Sequence, residues 1–263
     1  MRGPPFGINV TWGTRRPEPA AVPSMVMCGR FVQASSPELL VERFGVDELA
    51  APRHEPSYNV APRATVYAVR DRPEDDRRRR YLSELRWGLI PSWAKDPKVG
   101  DRMINARAES LADKPAYERA FRRHRCLVPA EGFYEWQRRG SGKQPMFIHR
   151  RDGEPMAFAG LWAAWRDAND PDGEWLRSCV IVTTSANDTI APLHDRMPVV
   201  LEERDWERWL DPEAGDVDAL ARLLLPAADD VLVAYPVGNR VNSADNDGPE
   251  LVEPVELEPT LGL

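Results

Sequence analysis

The sequence predicts an α+β protein in which curved, mostly antiparallel sheets form a partly barrel-like core with flanking helices. Runs rich in β-branched and aromatic residues, which are typical of strands, occur along most of the chain, whereas helical signals are few and short. The two kinds of segment do not alternate regularly, which argues against a doubly wound parallel sheet. With 263 residues, the chain can bury a proper core as one large domain or two small ones.

The order of the elements follows from these signals. Strands are predicted at 28–34, 64–70, 81–89, 125–129, 145–150, 156–165, 175–184, 197–201 and 231–235. The first helix is clearly delimited, because Ser36 can cap it, Pro37 suits its first position and Gly45 can end it. Further helices are predicted at 106–112, 115–122, 203–210 and 216–224.

Both ends of the chain differ from the middle. The segment from Met1 to Met25 has five prolines and no hydrophobic periodicity, and it lacks the apolar region of a secretory signal. Residues 1–26 are therefore interpreted as a mis-called start or a disordered, removable leader, with a genuine disordered arm as the alternative. The domain itself is predicted over 27–240. Residues 241–263 contain six acidic residues and no basic one, so they are predicted to form a mobile tail.

The amino-acid composition limits which cellular compartment and which cofactors are expected. No apolar run approaches the roughly 18 residues that a membrane span needs, so no membrane association is expected. The three cysteines form no CxxC pair, which fits a reducing cytoplasm and predicts no metal site. Cys126 and Cys179 lie in apolar, strand-like runs and are expected to pack in the core. We expect a cytoplasmic protein without a cofactor.

The net charge of −7 hides a strong asymmetry. Residues 27–151 hold 25 basic and 17 acidic side chains, whereas residues 152–263 hold 7 basic and 24 acidic ones. A basic face that could contact nucleic acid is therefore compatible with the acidic total. The run from Arg77 to Arg80 is predicted to top an exposed loop. The dispersed arginines Arg30, Arg63, Arg86, Arg107 and Arg125 lie inside motif-like segments.

Cys28 lies in the run Met27-Cys28-Gly29-Arg30-Phe31, which has the form of a start codon followed by a nucleophile. An aminopeptidase would remove Met27 because the next side chain is small, and Cys28 would then carry both a free α-amine and a free thiol. Such a 1,2-aminothiol condenses with an aldehyde to an imine and then closes to a thiazolidine ring. A buried cysteine in a first strand is the alternative interpretation of this run.

Three further segments carry groups suited to proton transfer or positioning. The segment from Ile104 to Ser110 holds an amide, a guanidinium and a carboxylate, those of Asn105, Arg107 and Glu109, within one helical turn, although a plain amphipathic helix has the same mixture. Glu135 is surrounded by aromatic residues, which would exclude water and raise its pKa toward the range of a general acid. A half-buried strand with a solvated carboxylate is the alternative. His194, followed by Asp195, is suited to proton transfer near neutral pH, but a His-Asp pair can equally be structural.

The segment from Arg86 to Trp93 combines two tryptophans with one arginine, one glycine and one proline. Flat rings next to cations can stack on bases and contact phosphates of single-stranded nucleic acid. Burial in the core is the alternative for Trp87 and Trp93, and it is expected for at least one of them.

Taken together, six segments in a specific order resemble the SOS-response-associated peptidase (SRAP) family of abasic-site-processing proteins. The segments are Met27-Cys28-Gly29-Arg30, Tyr58-Asn59-Val60-Ala61-Pro62, Arg86-Trp87-Gly88-Leu89-Ile90-Pro91-Ser92-Trp93, Ile104-Asn105-Ala106-Arg107-Ala108-Glu109, Gly132-Phe133-Tyr134-Glu135-Trp136 and His194-Asp195-Arg196-Met197-Pro198. The resemblance covers about residues 27–240. The sequence departs from the family in the extension before Cys28, which blocks the α-amine unless it is absent or removed.

The resemblance implies covalent capture of abasic sites in single-stranded DNA by an N-terminal cysteine, in a monomeric protein of the cytoplasm that associates with the nucleoid. By motif position it implies that Cys28 is the nucleophile, with Asn105, Glu135 and His194 as its catalytic neighbours. The implied DNA-binding residues are Arg30, Asn59, Trp87, Arg107, Trp136 and Arg196. No cofactor is implied.

Two other functions remain open from the sequence. One is a peptidase in which Cys28 is an N-terminal nucleophile that removes its own leader. The other is a non-catalytic reader of modified or damaged DNA that uses only the tryptophan and arginine surface.

Overall fold

The computed structural model describes residues 29–74, 77–140 and 142–257, so Cys28 and the predicted leader lie outside the described residues. Strands account for most of the regular structure. They are β1 (Phe31–Gln33), β2 (Glu48–Leu49), β3 (Ser57–Val60), β4 (Thr65–Glu74), β5 (Arg77–Trp87), β6 (Asn105–Arg107), β7 (Arg125–Ala130), β8 (Gly132–Arg139), β9 (Gly142–Arg150), β10 (Met156–Trp165), β11 (Leu176–Ser185), β12 (Arg196–Pro198) and β13 (Leu232–Pro236).

The strands form two sheets. The smaller sheet has the order β13-β9-β8-β1-β3, and all its pairs are antiparallel. The larger sheet has the order β12-β11-β10-β7-β4-β5-β2, and an additional parallel pairing of β11 with β5 joins β5, β4, β7, β10 and β11 into a closed ring. The short β6 lies parallel to β11. This mixed, mostly antiparallel architecture with a partly ring-like sheet confirms the predicted fold class.

The two faces of the larger sheet pack against different partners, because side chains alternate between the faces of a strand. One face packs against the smaller sheet in a cluster that we call the inter-sheet cluster, which includes Phe31, Trp87, Phe133, Phe158 and Ile181. The other face packs against the helices. The functional segments lie along the inter-sheet cluster.

The helices are α1 (Pro37–Phe44), α2 (Glu118–Arg123), α3 (Glu203–Leu210) and α4 (Val217–Ala221). Helix α1 begins and ends as predicted. The Ser36 hydroxyl accepts a hydrogen bond from the Leu39 backbone N–H at 3.3 Å, and Gly45 ends the helix in the left-handed conformation at φ 60°. Within the described ranges, no helix is both long and apolar enough to cross a lipid bilayer.

The predicted helix at 106–112 is wrong. Asn105–Arg107 form β6, which pairs with Ile181–Thr183 of β11, and a short 3₁₀ turn follows at Ala108–Ser110. Hydrogen bonds to an existing strand outweighed the helical preference of a segment that is too short to form a stable helix by itself.

The prediction of a mobile tail is also wrong for residues 241–257. Val241 is fully buried and Leu251 is 1% exposed. The Asp247 carboxylate accepts hydrogen bonds from the Ser57 hydroxyl at 2.8 Å and from the Tyr58 backbone N–H at 2.6 Å. The acidic side chains of this segment therefore coexist with apolar anchors that hold it to β3, while residues 258–263 lie outside the described residues.

The arginine run does not top a loop as predicted, because Arg77–Arg80 begin β5. Arg80 donates to Asp71 at 2.9 Å and to the Phe44 carbonyl at 2.9 Å, and it also pairs with Glu207. Its side chain is only 11% exposed. Instead of lying in an exposed loop, the arginine run thus connects β5 with β4, α1 and α3.

Candidate functional site

The chain enters the domain alongside β8. Phe31 pairs with Phe133, and the Tyr134 backbone N–H donates to the Arg30 carbonyl at 3.0 Å. Because β1 and β8 are antiparallel, the backbone runs from Phe31 back to Gly29 in the direction that leads along β8 toward Glu135. The first described residue after Cys28 therefore lies next to the stretch of β8 that carries Glu135.

Glu135 is buried, with 3% of its surface exposed. Alternation along β8 places it on the same face as Phe133, which belongs to the inter-sheet cluster. This agrees with the predicted withdrawal of the carboxyl group from water, whereas its role as a general acid stays a prediction. Trp136 points to the other face, and its indole N–H donates to Asn242 Oδ1 at 2.7 Å.

Asn105 approaches the same cluster from the larger sheet. It pairs in parallel with Ile181, so the two side chains share one face of the sheet, and Ile181 belongs to the inter-sheet cluster. Asn105 and Glu135 are therefore carried to one cluster by strands of different sheets. Arg107 follows at the end of β6, and its side chain is exposed.

Arg30 is held by the protein itself. Its Nη1 donates to Asn59 Oδ1 at 2.8 Å and to the Val241 carbonyl at 3.0 Å, and burial lowers the pKa of its guanidinium. Asn59 is 4% exposed, and its Nδ2 donates to the carbonyls of Ser243 and Asn246 at 2.9 and 2.8 Å. Arg30 and Asn59 thus anchor the segment that follows Arg240. Direct DNA contact by either side chain stays a prediction, and for Asn59 it requires this network to open.

Trp87 does not contact solvent. The residue is fully buried, and its indole N–H donates to the Ile104 carbonyl at 2.9 Å. This burial contradicts the predicted DNA contact of Trp87, because the ring packs edge-on against Phe31 in the inter-sheet cluster. Trp93, from the same segment, is 64% exposed and is the ring that remains available for stacking. Trp87 is the last residue of a long strand, whereas Trp93 lies in the irregular segment after Pro91, and this difference in position separates them.

His194 lies in the turn before β12. Its Nδ1 lies 3.1 Å from the Arg196 backbone N and 2.8 Å from Asp195 Oδ1. One nitrogen cannot accept from the backbone and donate to the carboxylate at once. Burial lowers the pKa of His194, which Asp195 opposes and Arg196 reinforces. The backbone contact requires an unprotonated Nδ1, whereas the contact with Asp195 requires a protonated one, so the two contacts belong to different protonation states of the ring.

Arg196 ties this turn to the end of β6. Its two terminal nitrogens bind both oxygens of the Glu109 carboxylate at 2.9 Å, and Nη2 also donates to the Thr183 carbonyl at 2.7 Å. The Arg196 guanidinium lowers the pKa of Glu109. A bidentate pair of this kind holds two chain segments in one orientation. Contact of Arg196 with DNA stays a prediction.

The two described cysteines are not candidates for a nucleophile. Cys126 and Cys179 are fully buried, and burial raises the pKa of both thiols, that of Cys179 to about 12. Both thiols stay protonated near neutral pH, and the thiolate is the nucleophilic form. In the described part of the chain, no three histidine, cysteine or acidic side chains are grouped as metal ligands.

Comparison with protein families gives one match, which covers most of the chain. Residues 27–244 match the family described as SOS response associated peptidase (SRAP). The matched range begins at Met27 and includes the whole ring, the smaller sheet and the start of the segment after Arg240.

Individual relatives come from bacteria and from vertebrates. The chain is 43% identical over 229 residues to the abasic site processing protein YoqW of Bacillus subtilis, which covers 86% of this chain and 99% of YoqW. It is 32% identical over 236 residues to the abasic site processing protein YedK of Escherichia coli, covering 87% and 100% of the two chains. With the abasic site processing protein HMCES of Gallus gallus, the identity is 33% over 232 residues, covering 78% and 68%.

Solved structures share the fold. A protein from Bacteroides thetaiotaomicron superimposes with a TM-score of 0.76 at 23% identity, over 87% of this chain and 100% of that one. A phage-related protein from Bordetella bronchiseptica has a TM-score of 0.60 at 32% identity, over 80% of this chain and 94% of that one.

Proposed function

The chain belongs to the SOS response associated peptidase (SRAP) family, and on this premise we propose that it captures abasic sites in single-stranded DNA by a covalent bond to Cys28. Relatives that match over nearly their whole length are named abasic site processing proteins. The observation that carries the proposal is the approach of the chain just after Cys28 to the buried Glu135 on β8. An N-terminal nucleophile needs a proton-transferring group in this position.

The steps of covalent capture follow from the chemical structure of an abasic site. An abasic site lacks its base, so its sugar opens to an aldehyde at C1′. The Cys28 α-amine adds to this carbon, and loss of one water molecule gives an imine. The Cys28 sulfur then adds to the same carbon while the imine nitrogen takes up a proton, which closes a thiazolidine ring without any oxidant or reductant.

Each neighbouring residue has a separate role in this scheme. Glu135 moves protons during opening of the sugar and loss of water, because a buried carboxyl group can be tuned to both tasks. Neutral His194 offers its Nε2–H to a sugar hydroxyl, since its Nδ1 is held by the backbone of Arg196. Asn105 has no titratable proton and orients the amine or the sugar. Arg107 and Trp93 are exposed and suit contact with phosphates and bases.

The test compares protein that begins at Cys28 with protein that carries residues 1–27. Only the first has a free α-amine on Cys28, so only the first should form an adduct with an abasic single strand that survives denaturation. The yield should fall when the same abasic site is placed in an intact duplex. Adduct is measured on denaturing gels, and intact mass identifies the modified residue.

A variant with Cys28→Ala, started at Met27, is the matched control. It keeps an α-amine and should form only an imine, which is trapped by borohydride and lost without it. Equal adduct from both forms of the wild-type protein would contradict the thiazolidine. No adduct from either form would favour a non-catalytic reader, and removal of residues 1–27 by purified full-length protein would favour the autopeptidase.

A further inference from the structure

A cleft of about 550 Å³ lies between β4, β10, β11 and the turn after α2. Its volume is in the range of small-molecule sites. The cleft opens near the start of β11, at Arg177, whereas Asn105 and Arg107 pair with Ile181 and Thr183 of the same strand. Ile181 and Thr183 lie four and six positions after Arg177, which corresponds to about 13 and about 20 Å along a strand. The cleft is therefore separate from the candidate capture site.

Three of the arginines that line the cleft have no acidic partner among the residues that the structure describes. Arg70 is only 3% exposed, and its Nε donates to the Ser83 hydroxyl at 2.9 Å. Among the described residues, no carboxylate forms an ion pair with Arg70, Arg72 or Arg177. Burying a cation without a counter-charge costs desolvation free energy. An anion that enters the cleft would therefore bind more favourably than one at an ordinary surface.

The acidic side chains of the cleft are already neutralised. Asp71 pairs with Arg80 at 2.9 Å, and Glu213 pairs with Arg123 at 3.1 Å. The positive charge of the three unpaired arginines is therefore not compensated from within the cleft wall. Charge complementarity points to an anionic ligand.

Aromatic rings lie beside these cations. Trp175 is 50% exposed, and the Arg166 guanidinium carbon lies 4.6 Å from the centre of its ring. Trp162 lies deeper, with the guanidinium carbon of Arg70 at 4.7 Å and the His124 ring at 4.7 Å. Trp162 is therefore part of the wall, while Trp175 leaves the ring face opposite Arg166 for a ligand. An exposed ring next to unpaired arginines is the arrangement that binds a base together with its phosphate.

We propose that this cleft is a second binding site, which takes one nucleotide unit with its base stacked on Trp175 and its phosphate against Arg70, Arg72 and Arg177. The same chemistry is offered by a free nucleotide and by a segment of single-stranded nucleic acid. The inference does not depend on covalent capture at Cys28, because it is argued from a different set of residues at the other end of β11.

The first measurement observes Trp175 directly in the whole chain. The indole N–H resonance of Trp175 is identified as the signal that disappears in Trp175→Phe. This resonance should shift on titration with deoxyadenosine monophosphate, with an intact single-stranded oligonucleotide, or with both. The probe that shifts it at the lower concentration shows whether the ligand is a free nucleotide or single-stranded nucleic acid. If neither nucleotide probe shifts the resonance, the proposal is wrong. An equal shift with inorganic phosphate or with a polyglutamate peptide would overturn the nucleotide assignment.

The second measurement uses charge reversal. Arg177→Glu should weaken binding of the effective nucleotide probe by about tenfold, since loss of one stacked or paired contact has effects of this order. Arg204→Glu is the matched control, because Arg204 is 80% exposed on α3 and outside the cleft. Equal affinities of the two variants would contradict the proposal.

The rate of adduct formation by Arg177→Glu and Arg204→Glu at saturating abasic DNA tests this inference independently of the proposed function. Arg177→Glu should still capture abasic DNA at the wild-type rate. Failure of the wild-type protein to form adduct, with the Trp175 shift retained, would reject capture and leave the second site intact.

Discussion

Arginines at the two ends of β11 stand in opposite electrostatic situations. Near its end, Arg196 binds both oxygens of Glu109 and the Thr183 carbonyl. Near its start, Arg177 lies in a cleft with Arg70 and Arg72, and no described carboxylate pairs with any of the three. The first arrangement holds two chain segments together, whereas the second leaves charge for a ligand. An arginine inside a family motif thus acts as a structural tie, while arginines outside every motif line the cleft that we propose as a binding site.

The first prediction, with the greatest effect, concerns the chemistry of the proposed capture site. Glu135→Gln keeps nearly the same shape but removes the proton that the carboxyl group transfers. Formation of the stable adduct should slow by about 10²–10⁴-fold, the usual contribution of general acid–base catalysis, with little change in DNA affinity. Rates at saturating abasic single-stranded DNA measure this effect. Trp175→Ala is the control from the other region and should keep the wild-type rate, whereas an unchanged rate in Glu135→Gln would reduce Glu135 to a structural residue.

The next effect is on stability and compares one arginine from each region. Arg196→Met should lower the free energy of unfolding by about 1–2 kcal/mol, because the buried Thr183 carbonyl loses its donor and the Glu109 carboxylate loses its partner. Arg177→Met should change it by less than about 0.5 kcal/mol, since Arg177 is exposed and its side chain makes no hydrogen bond or ion pair with the described residues. Urea unfolding of the two variants measures this difference. Equal losses of unfolding free energy in both variants would contradict the prediction.

The smallest effect is a difference between two histidines. Burial lowers the pKa of His124, and Arg119, Arg123 and Arg125 lower it further. Burial also lowers the pKa of His194, but Asp195 opposes the shift. Both rings should titrate below their usual value of 6.5 when followed by NMR. A nucleotide phosphate in the cleft should raise the pKa of His124 and leave that of His194 unchanged, and a parallel rise of both would argue against a local site.

The same shifts set the sign of a pH effect on stability. A histidine whose pKa is lower in the folded state binds protons more readily in the unfolded chain. His124 and His194 therefore contribute stability that is complete above pH 6.5 and is lost as the pH falls from there toward their folded-state pKa values. The free energy of unfolding should decline over this range, and the decline should be smaller in His124→Gln.

Much of the fold followed from local signals. The sequence predicts helices α1 and α3 within a residue of their bounds, and for α1 the reason is that Ser36, Pro37 and Gly45 delimit it. The longest strands were also predicted, since alternating apolar residues reflect burial of one face. The family was recognisable from six ordered segments that a single chain displays without any structure.

Sequence by itself therefore determined the class of fold, the family and the candidate residues Cys28, Asn105, Glu135 and His194. Tertiary structure alone decided which motif residues reach solvent: Trp87 is buried while Trp93 is exposed, and residues 241–257 pack against β3 despite their acidity. It also decided that β6 is a strand and that three arginines share a cleft in which no described carboxylate pairs with them. The physical reason is that burial, strand pairing and charge compensation depend on neighbours that are distant in the chain, which no local pattern of residues can specify.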